Sequence, residues 1–365
     1  MRQNIIKKIL ILPLLLLVFG FAASPIPSEV KLAEEQAHNL WKSEAQFYAP
    51  ADYNRYLMSL RQAKETLIKE ESRFAWFQDY QLAQSEFRDV LQAGYVLQEK
   101  ILKQKNIKKE STFNQISSLK NRIETLKGLT EMINEGRLAR KDLIKAELLL
   151  AEATSRYDKK DYVAAEDKIK NLPGLIKVAE DAILPIFKRY ADRSHIDKWQ
   201  KMAQETIADS KNRGVPAIIV NKSNRVLVLY RNGVPFKKYN VGLGRNGSLD
   251  KLHAGDNSTP EGEYKVIKKI SGSRYHKALL LNYPNEDDRR NFISAKKKGL
   301  IPAQARIGGL IEIHGGGKDS MTYGCIALDD NAIDDIFNLV PVGIKVTIVG
   351  AVDYDNNLST AIEGH

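Results

Sequence analysis

From about Leu32 to Arg213 apolar residues recur every three or four positions and glycine is almost absent, a pattern that predicts helix after helix. One stripe runs through Ile116, Leu119, Ile123, Leu126 and Leu129, behind a capping-box pair at Thr112 and Gln115, and needs a partner helix to cover it. Lys103 to Glu110 is charged and poorly periodic, which predicts a loop between helices. Leu60, Ala63, Trp76, Tyr80 and Ala83 are echoed by Leu150, Ala153, Tyr157, Tyr162 and Ala165, as in two helical hairpins with small residues where helices approach. An ordinary bundle core explains this spacing better than a helical-repeat recognition groove.

Near Gly214 the texture changes to short β-branched runs separated by turn residues. Strands are predicted at Ala217–Val220, Arg225–Tyr230, Val234–Val241, Tyr264–Ile267, Ala278–Asn282, Gly309–Ile313 and Lys345–Val349, with a hairpin turn at Asn232-Gly233. One helix, capped by Asp329 or Asp330 and burying Ile333, Ile336 and Phe337, interrupts them. The expected organisation is a signal segment at 1–24, an all-α bundle or helical-repeat domain at 25–213, a mostly-β domain at 214–352 and a tail at 353–365. A fragment starting near Asn212 is expected to fold alone.

The N-terminus has the three parts of a secretory signal: basic Arg2, Lys7 and Lys8, an apolar run from Ile9 to Phe21, then Ala22, Ala23 and Ser24. That run is short for a bilayer span of ~20 residues, so cleavage is expected near Ala22–Ser24, and only an uncleaved segment would touch a membrane. Export invites disulfides, yet the chain has one cysteine, Cys325, which no intramolecular bridge can use. The net charge of +11 suits an anionic polymer, and for an exported protein the acidic bacterial wall is the expected one. No aromatic-spaced basic motif supports nucleic-acid binding.

The chemistry concentrates in Ile313-His314-Gly315-Gly316-Gly317 and Thr322-Tyr323-Gly324-Cys325-Ile326-Ala327-Leu328. A strand delivers a histidine into a glycine-rich turn, and a second glycine turn delivers a cysteine before a helix. A thiol needs a base to react as thiolate near neutrality, and histidine is the matching side chain. Their separation of eleven positions means that the fold must join them. Glycines around both would let a substrate carbonyl approach backbone N–H groups. His38, His195, His253 and His365 lack metal-ligand spacing, so neither metal nor cofactor is expected.

These two motifs, with Ser258-Thr259-Pro260-Glu261-Gly262-Glu263-Tyr264 upstream, resemble the L,D-transpeptidase catalytic (YkuD-like) family over roughly Val215 to Gly350. The resemblance implies a β-sandwich-like catalytic domain, a peptidoglycan tetrapeptide stem as substrate, Cys325 as nucleophile and His314 as its base. It implies that the Gly315 carbonyl orients the imidazole and that the N–H groups of Gly324 and Cys325 stabilise an oxyanion. Tyr323 and Ala327 stand where many members carry histidine and arginine. The short interval between the motifs, that alanine, and Tyr283-Pro284-Asn285 with Asp288-Arg289 are similar to a Gram-negative branch, some of which hydrolyses peptidoglycan-linked amides. Thr322, Tyr323, Tyr275, His276 and Arg306 are the expected substrate-facing residues, and the helical half is expected to dock wall-attached proteins. A periplasmic or wall-associated cysteine acyltransferase is the expectation; a hydrolase on the same site, or a wall-binding module with a degenerate site, are the alternatives.

Overall fold

The computed structural model describes residues 25–362. The expected signal segment lies outside the described residues. By contacts the chain divides into two units, 1–112 and 113–365, each described by itself below.

In the first unit α1 (Ser28–Lys42), α2 (Ala45–Tyr48) and α3 (Pro50–Glu71) precede the start of α4 (Gln81–Met132). Small residues let the helices close: Ala33, Ala63 and Ala83 are fully buried, and a Cβ on Gly94 of α4 would collide with Gln36 of α1. Tyr56 crosses from α3 to donate to the Ala33 carbonyl at 3.3 Å. Trp76, expected in the core, is instead 76% exposed on a single 3₁₀ turn, Ala75–Phe77.

The loop expected at Lys103–Glu110 is helix, interior to α4. Lysine, glutamine and glutamate are good helix formers, and the stretch has no glycine or proline to stop propagation; sparse apolar residues removed the stripe without removing the helix. Thr112 accordingly sits inside α4, fully buried, and caps nothing.

In the second unit the predicted stripe Ile116–Leu129 is buried against α5 (Arg137–Asp158) and α7 (Leu172–Ala191), with α6 (Tyr162–Ile169) between them in sequence. Then α8 (Arg193–Arg213) lies on the sheet: Trp199, Ala203 and Ile196 share one core with Ile219, Val349 and Ala351. A Cβ on Gly350 would meet the Trp199 ring at 2.4 Å, and the Thr206 and Thr347 hydroxyls are 2.6 Å apart. Helices from Phe113 to Arg213 therefore pack as part of the sheet's unit, so a fragment starting near Asn212 would expose part of this core.

The strands are β1 (Ala217–Asn221), β2 (Val226–Arg231), β3 (Val234–Asn240), β4 (Gly262–Ser273), β5 (His276–Leu281), β6 (Glu312–His314), β7 (Ile326–Ala327) and β8 (Lys345–Val349), in the sheet order β3-β2-β1-β8-β4-β5-β6-β7. Asn232 and Gly233 both have positive φ, the conformation of the hairpin turn that their sequence predicts. Register shifts bend the long β4, whose first residues pair with β8 and whose later ones pair with β5. A bridge from Gly242 to Ala327 brings the end of the β3 strand path to β7, curling the sheet around a core of Ile218, Tyr264, Leu279, Ile313, Ile326, Ile333 and Val346. The fold is thus a helical region followed by a mostly-strand domain, as expected.

Besides the predicted helix, α10 (Asp330–Leu339), there is an unforeseen one, α9 (Glu286–Lys297). Asn285 caps it by accepting from the Asp287 and Asp288 N–H groups, while Asp288 accepts from the Asn285 N–H. Only Ala295 of α9 is buried, so the helix has no apolar stripe to read. Its signal was the cap alone.

Candidate active site

Strands β6 and β7 run parallel, with Ile313 opposite Ile326 and His314 opposite Ala327. Side chains alternate faces along a strand, and opposed residues share a face. Cys325 lies just before β7, two residues ahead of Ala327, so the pairing brings the segment that carries it alongside the strand that ends in His314. The pairing puts the two motifs on neighbouring strands, with the small Ala327 opposite His314.

His314 is 4% exposed, its ring stacked on Tyr275 with centroids 4.4 Å apart. Nδ1 lies 2.6 Å from the Gly315 carbonyl oxygen. A carbonyl only accepts, so Nδ1 carries the proton and Nε2 is left as the basic nitrogen. Burial pulls the imidazole below its ordinary value, against the upward pull of the Gly315 carbonyl and Glu312. Gly315 is required by close approach: a Cβ there would meet Asp330 Oδ1 at 2.6 Å. Asp330, at the start of α10, also accepts from the Gly316 N–H at 2.8 Å and so holds the glycine turn to the helix.

Cys325 is half-buried, and its Sγ lies 3.6 Å from the Leu310 carbonyl oxygen, an acceptor for the S–H. Burial pushes the thiol above its ordinary value; a hydrogen bond with the Glu312 backbone and the charge of Lys251 act the other way. The preceding Gly324 has φ +132°, and a Cβ on it would meet the Ser258 carbonyl oxygen at 2.6 Å. Only glycine fits this turn. The Ser258-Thr259-Pro260 segment is thereby its wall: Thr259 is fully buried and accepts from the Gly244 N–H at 2.9 Å.

Of the other residues singled out in the sequence, Thr322 holds the nucleophile turn, accepting from the Gly324 N–H and donating to the Cys325 carbonyl. The Gly324 N–H is thus already engaged, whereas the Cys325 N–H lies outside this staple. Tyr323 is 75% exposed beside it. Tyr275 meets the site through His314. His276 is turned to α10, its Nε2 2.8 Å from Asp334 Oδ1, a carboxylate that also binds Lys277. Arg306 is exposed, and its backbone carbonyl accepts from the Ala254 N–H. Among the described residues no cluster of His, Cys, Asp or Glu is placed to hold a metal ion.

Sequence reading missed the support behind the turn. The 3₁₀ turn Asn134–Gly136 between α4 and α5 grips the loop after β3: Asn134 donates to the Gly244 carbonyl, Glu135 accepts from the Ser248 N–H, and Arg137 donates to the Arg245 carbonyl. The Arg245 N–H donates in turn to the Thr322 carbonyl. A separation of about 110 residues left no local signal for this link. Nearby, Glu261 of the Thr-Pro segment is buried and binds Arg189 of α7, Lys222 and the Trp199 indole.

Residues 216–348 match the family model of the L,D-transpeptidase catalytic domain, YkuD. No curated protein matches the chain. Similar solved structures include an L,D-transpeptidase from Mycobacterium smegmatis, at 12% identity and TM-score 0.24 over 36% of this chain and 58% of that one. Another is L,D-transpeptidase 1 from Mycobacterium tuberculosis, at 15% identity and TM-score 0.24 over 37% and 62%. A third is an L,D-transpeptidase from Xylanimonas cellulosilytica, at 14% identity and TM-score 0.25 over 37% and 60%. The chain thus spans about three fifths of the length of each of these proteins.

Proposed function

We propose that this protein is an exported L,D-transpeptidase-type cysteine acyltransferase that acts on peptidoglycan tetrapeptide stems. The observation that supports this reading is the pairing of the His314 strand with the strand that follows Cys325, with Nδ1 of His314 tied to the Gly315 carbonyl and Nε2 left basic. Sγ of Cys325 attacks the carbonyl of the L-centred diamino acid in the stem as Nε2 takes the thiol proton. The Cys325 N–H, not held by Thr322, donates to the developing oxyanion. Collapse breaks the amide, Nε2 returns the proton to the leaving D-residue's amine, and a thioester remains. An amine or water then attacks the thioester, giving its proton to Nε2 and its electron pair to the acyl carbon, and the thiol is regenerated. An amine yields a cross-link or an attached protein; water yields a trimmed stem or a released protein.

Intact mass after incubation with tetrapeptide muropeptides or a carbapenem tests the reading. An acyl adduct on Cys325 is expected, absent in Cys325→Ala and much slower to form in His314→Ala. An unmodified chain whose Cys325 still reacts with a simple alkylating agent would sink it. The net charge of +11 fits an acidic wall as the surface on which the enzyme works.

A further inference from the structure

Directly behind the Gly324–Cys325 turn lies Lys251, a residue with no part in the chemistry above. Its side chain is 4% exposed. Its Nζ stands 3.6 Å from where a Cβ on Gly324 would be, and its stem passes Gly308 at a similar distance. Among the described residues its one hydrogen-bond partner is Asp256 Oδ1, at 2.7 Å. An ammonium has three donors, of which this bond uses one. A buried charge with spare donors is costly unless another negative group nearby uses it.

Asp256 is itself well supplied. It accepts from the N–H groups of Leu252 and His253 on Oδ2 and of Ser258 on Oδ1. Those backbone bonds spread its charge and fold the loop that carries Lys251. The charged groups acting on Cys325 are Glu312 on β6 and Lys251 from this loop. Glu312 opposes a negative sulfur, and His314 is neutral until it takes the proton. Lys251 is the standing cation.

We propose that Lys251 is a positioning residue of the nucleophile turn, whose fixed charge favours the Cys325 thiolate and the anionic intermediate formed on it, and that Asp256 sets how much of that charge the sulfur feels. The role would fall to it in a site where Ala327 provides no cation two residues beyond the cysteine. This proposal rests on Cys325 being the reacting group, but its test needs no wall substrate. A failure of muropeptide turnover would overturn the enzymatic reading and leave this electrostatic one to be judged by itself.

The test measures the rate of Cys325 alkylation by iodoacetamide against pH in the full chain, for wild type, Lys251→Met, Lys251→Arg and Asp256→Asn, with thermal melts to confirm folding. Lys251→Met is expected to raise the midpoint by about one unit. Around neutral pH the thiolate fraction then falls about tenfold, partly offset by greater nucleophilicity, for a net slowing of about three- to fourfold. Lys251→Arg should stay near wild type. Asp256→Asn breaks the same ion pair but unmasks the cation, so its midpoint should move down. A purely structural ion pair predicts shifts of the same sign in both variants, and that result, or no shift in either, overturns the proposal. Should Lys251→Met fail to fold, the Asp256→Asn arm decides alone: a midpoint that does not fall overturns it.

Discussion

Thr322 and Cys325 are joined by a short hydrogen bond: the Thr322 hydroxyl donates to the Cys325 carbonyl at 2.7 Å. The same hydroxyl accepts from the Gly324 N–H at 3.1 Å, so one side chain satisfies both ends of a turn that glycine's positive φ makes possible. Thr322→Val keeps the shape and removes both bonds. Leaving such groups unpaired costs about 1–3 kcal/mol each when they are buried, and less here because the turn is partly open. A drop in melting temperature with slower Cys325 alkylation is expected, and Thr322→Ser should restore both.

The resting state of the pair determines its pH response. Burial lowers the His314 pKa and raises that of Cys325, so both are shifted against charge, and near neutrality the site holds a neutral imidazole and a protonated thiol. The S–H contact with the Leu310 carbonyl favours the same state. Alkylation of Cys325 should therefore climb steadily from about pH 7 towards pH 9, without an acid-side plateau. A plateau reaching down to about pH 5 would instead show a preformed imidazolium–thiolate pair.

Glu261 lies buried between two cations, with Lys222 Nζ and Arg189 Nη1 each 2.9 Å from Oε1. Burial alone would raise its pKa, but Lys222 and Arg189 together outweigh this and hold the carboxyl at about 2. A carboxyl depressed in the folded state adds stability that is present above its unfolded value and is lost as pH falls towards about 2. Glu261→Gln leaves two buried cations underpaired and is expected to cost about 3–5 kcal/mol in a denaturant melt near neutral pH. The wild-type advantage over this variant should shrink below about pH 4.

Arg137 reaches the nucleophile turn indirectly, through the Arg245 carbonyl and from the Arg245 N–H to the Thr322 carbonyl. It also donates to Asn246 Oδ1 at 2.7 Å. Arg137→Ala should leave the fold intact at a cost of about 1–2 kcal/mol, the scale of lost charge-assisted hydrogen bonds. It should slow acylation of Cys325 severalfold. An acylation rate equal to wild type would show that the helical elbow does not brace the site.

Because Trp199, Ile219, Val349 and Ala351 share one core, a fragment starting at Gly214 should be insoluble or molten, whereas one starting at Phe113 should melt cooperatively. Circular dichroism in the near and far ultraviolet separates the two outcomes. A cooperative melt of the shorter fragment would show that α8 is dispensable for the sheet.

Most of the helical half, α10, most strands, the Asn232-Gly233 hairpin and the two glycine-framed motifs were legible in the sequence, because each depends on local spacing: an apolar stripe, an alternating run, a pair of turn residues. Where local spacing was weak the reading failed. Lys103–Glu110 lacks a stripe but is helical by propensity, and α9 is held by its Asn285 cap while burying almost nothing. What the tertiary structure decided was proximity. Parallel pairing of β6 with β7 put the two glycine-framed motifs on neighbouring strands, packing α8 on β1 and β8 made the helices after Phe113 part of the sheet's unit, and long-range contacts brought Lys251 and the Asn134–Arg137 elbow to the Gly324 turn and the loop after β3. Those contacts join residues tens to more than a hundred positions apart, and their energy is realised only when the whole core closes, so no window of sequence could hold them.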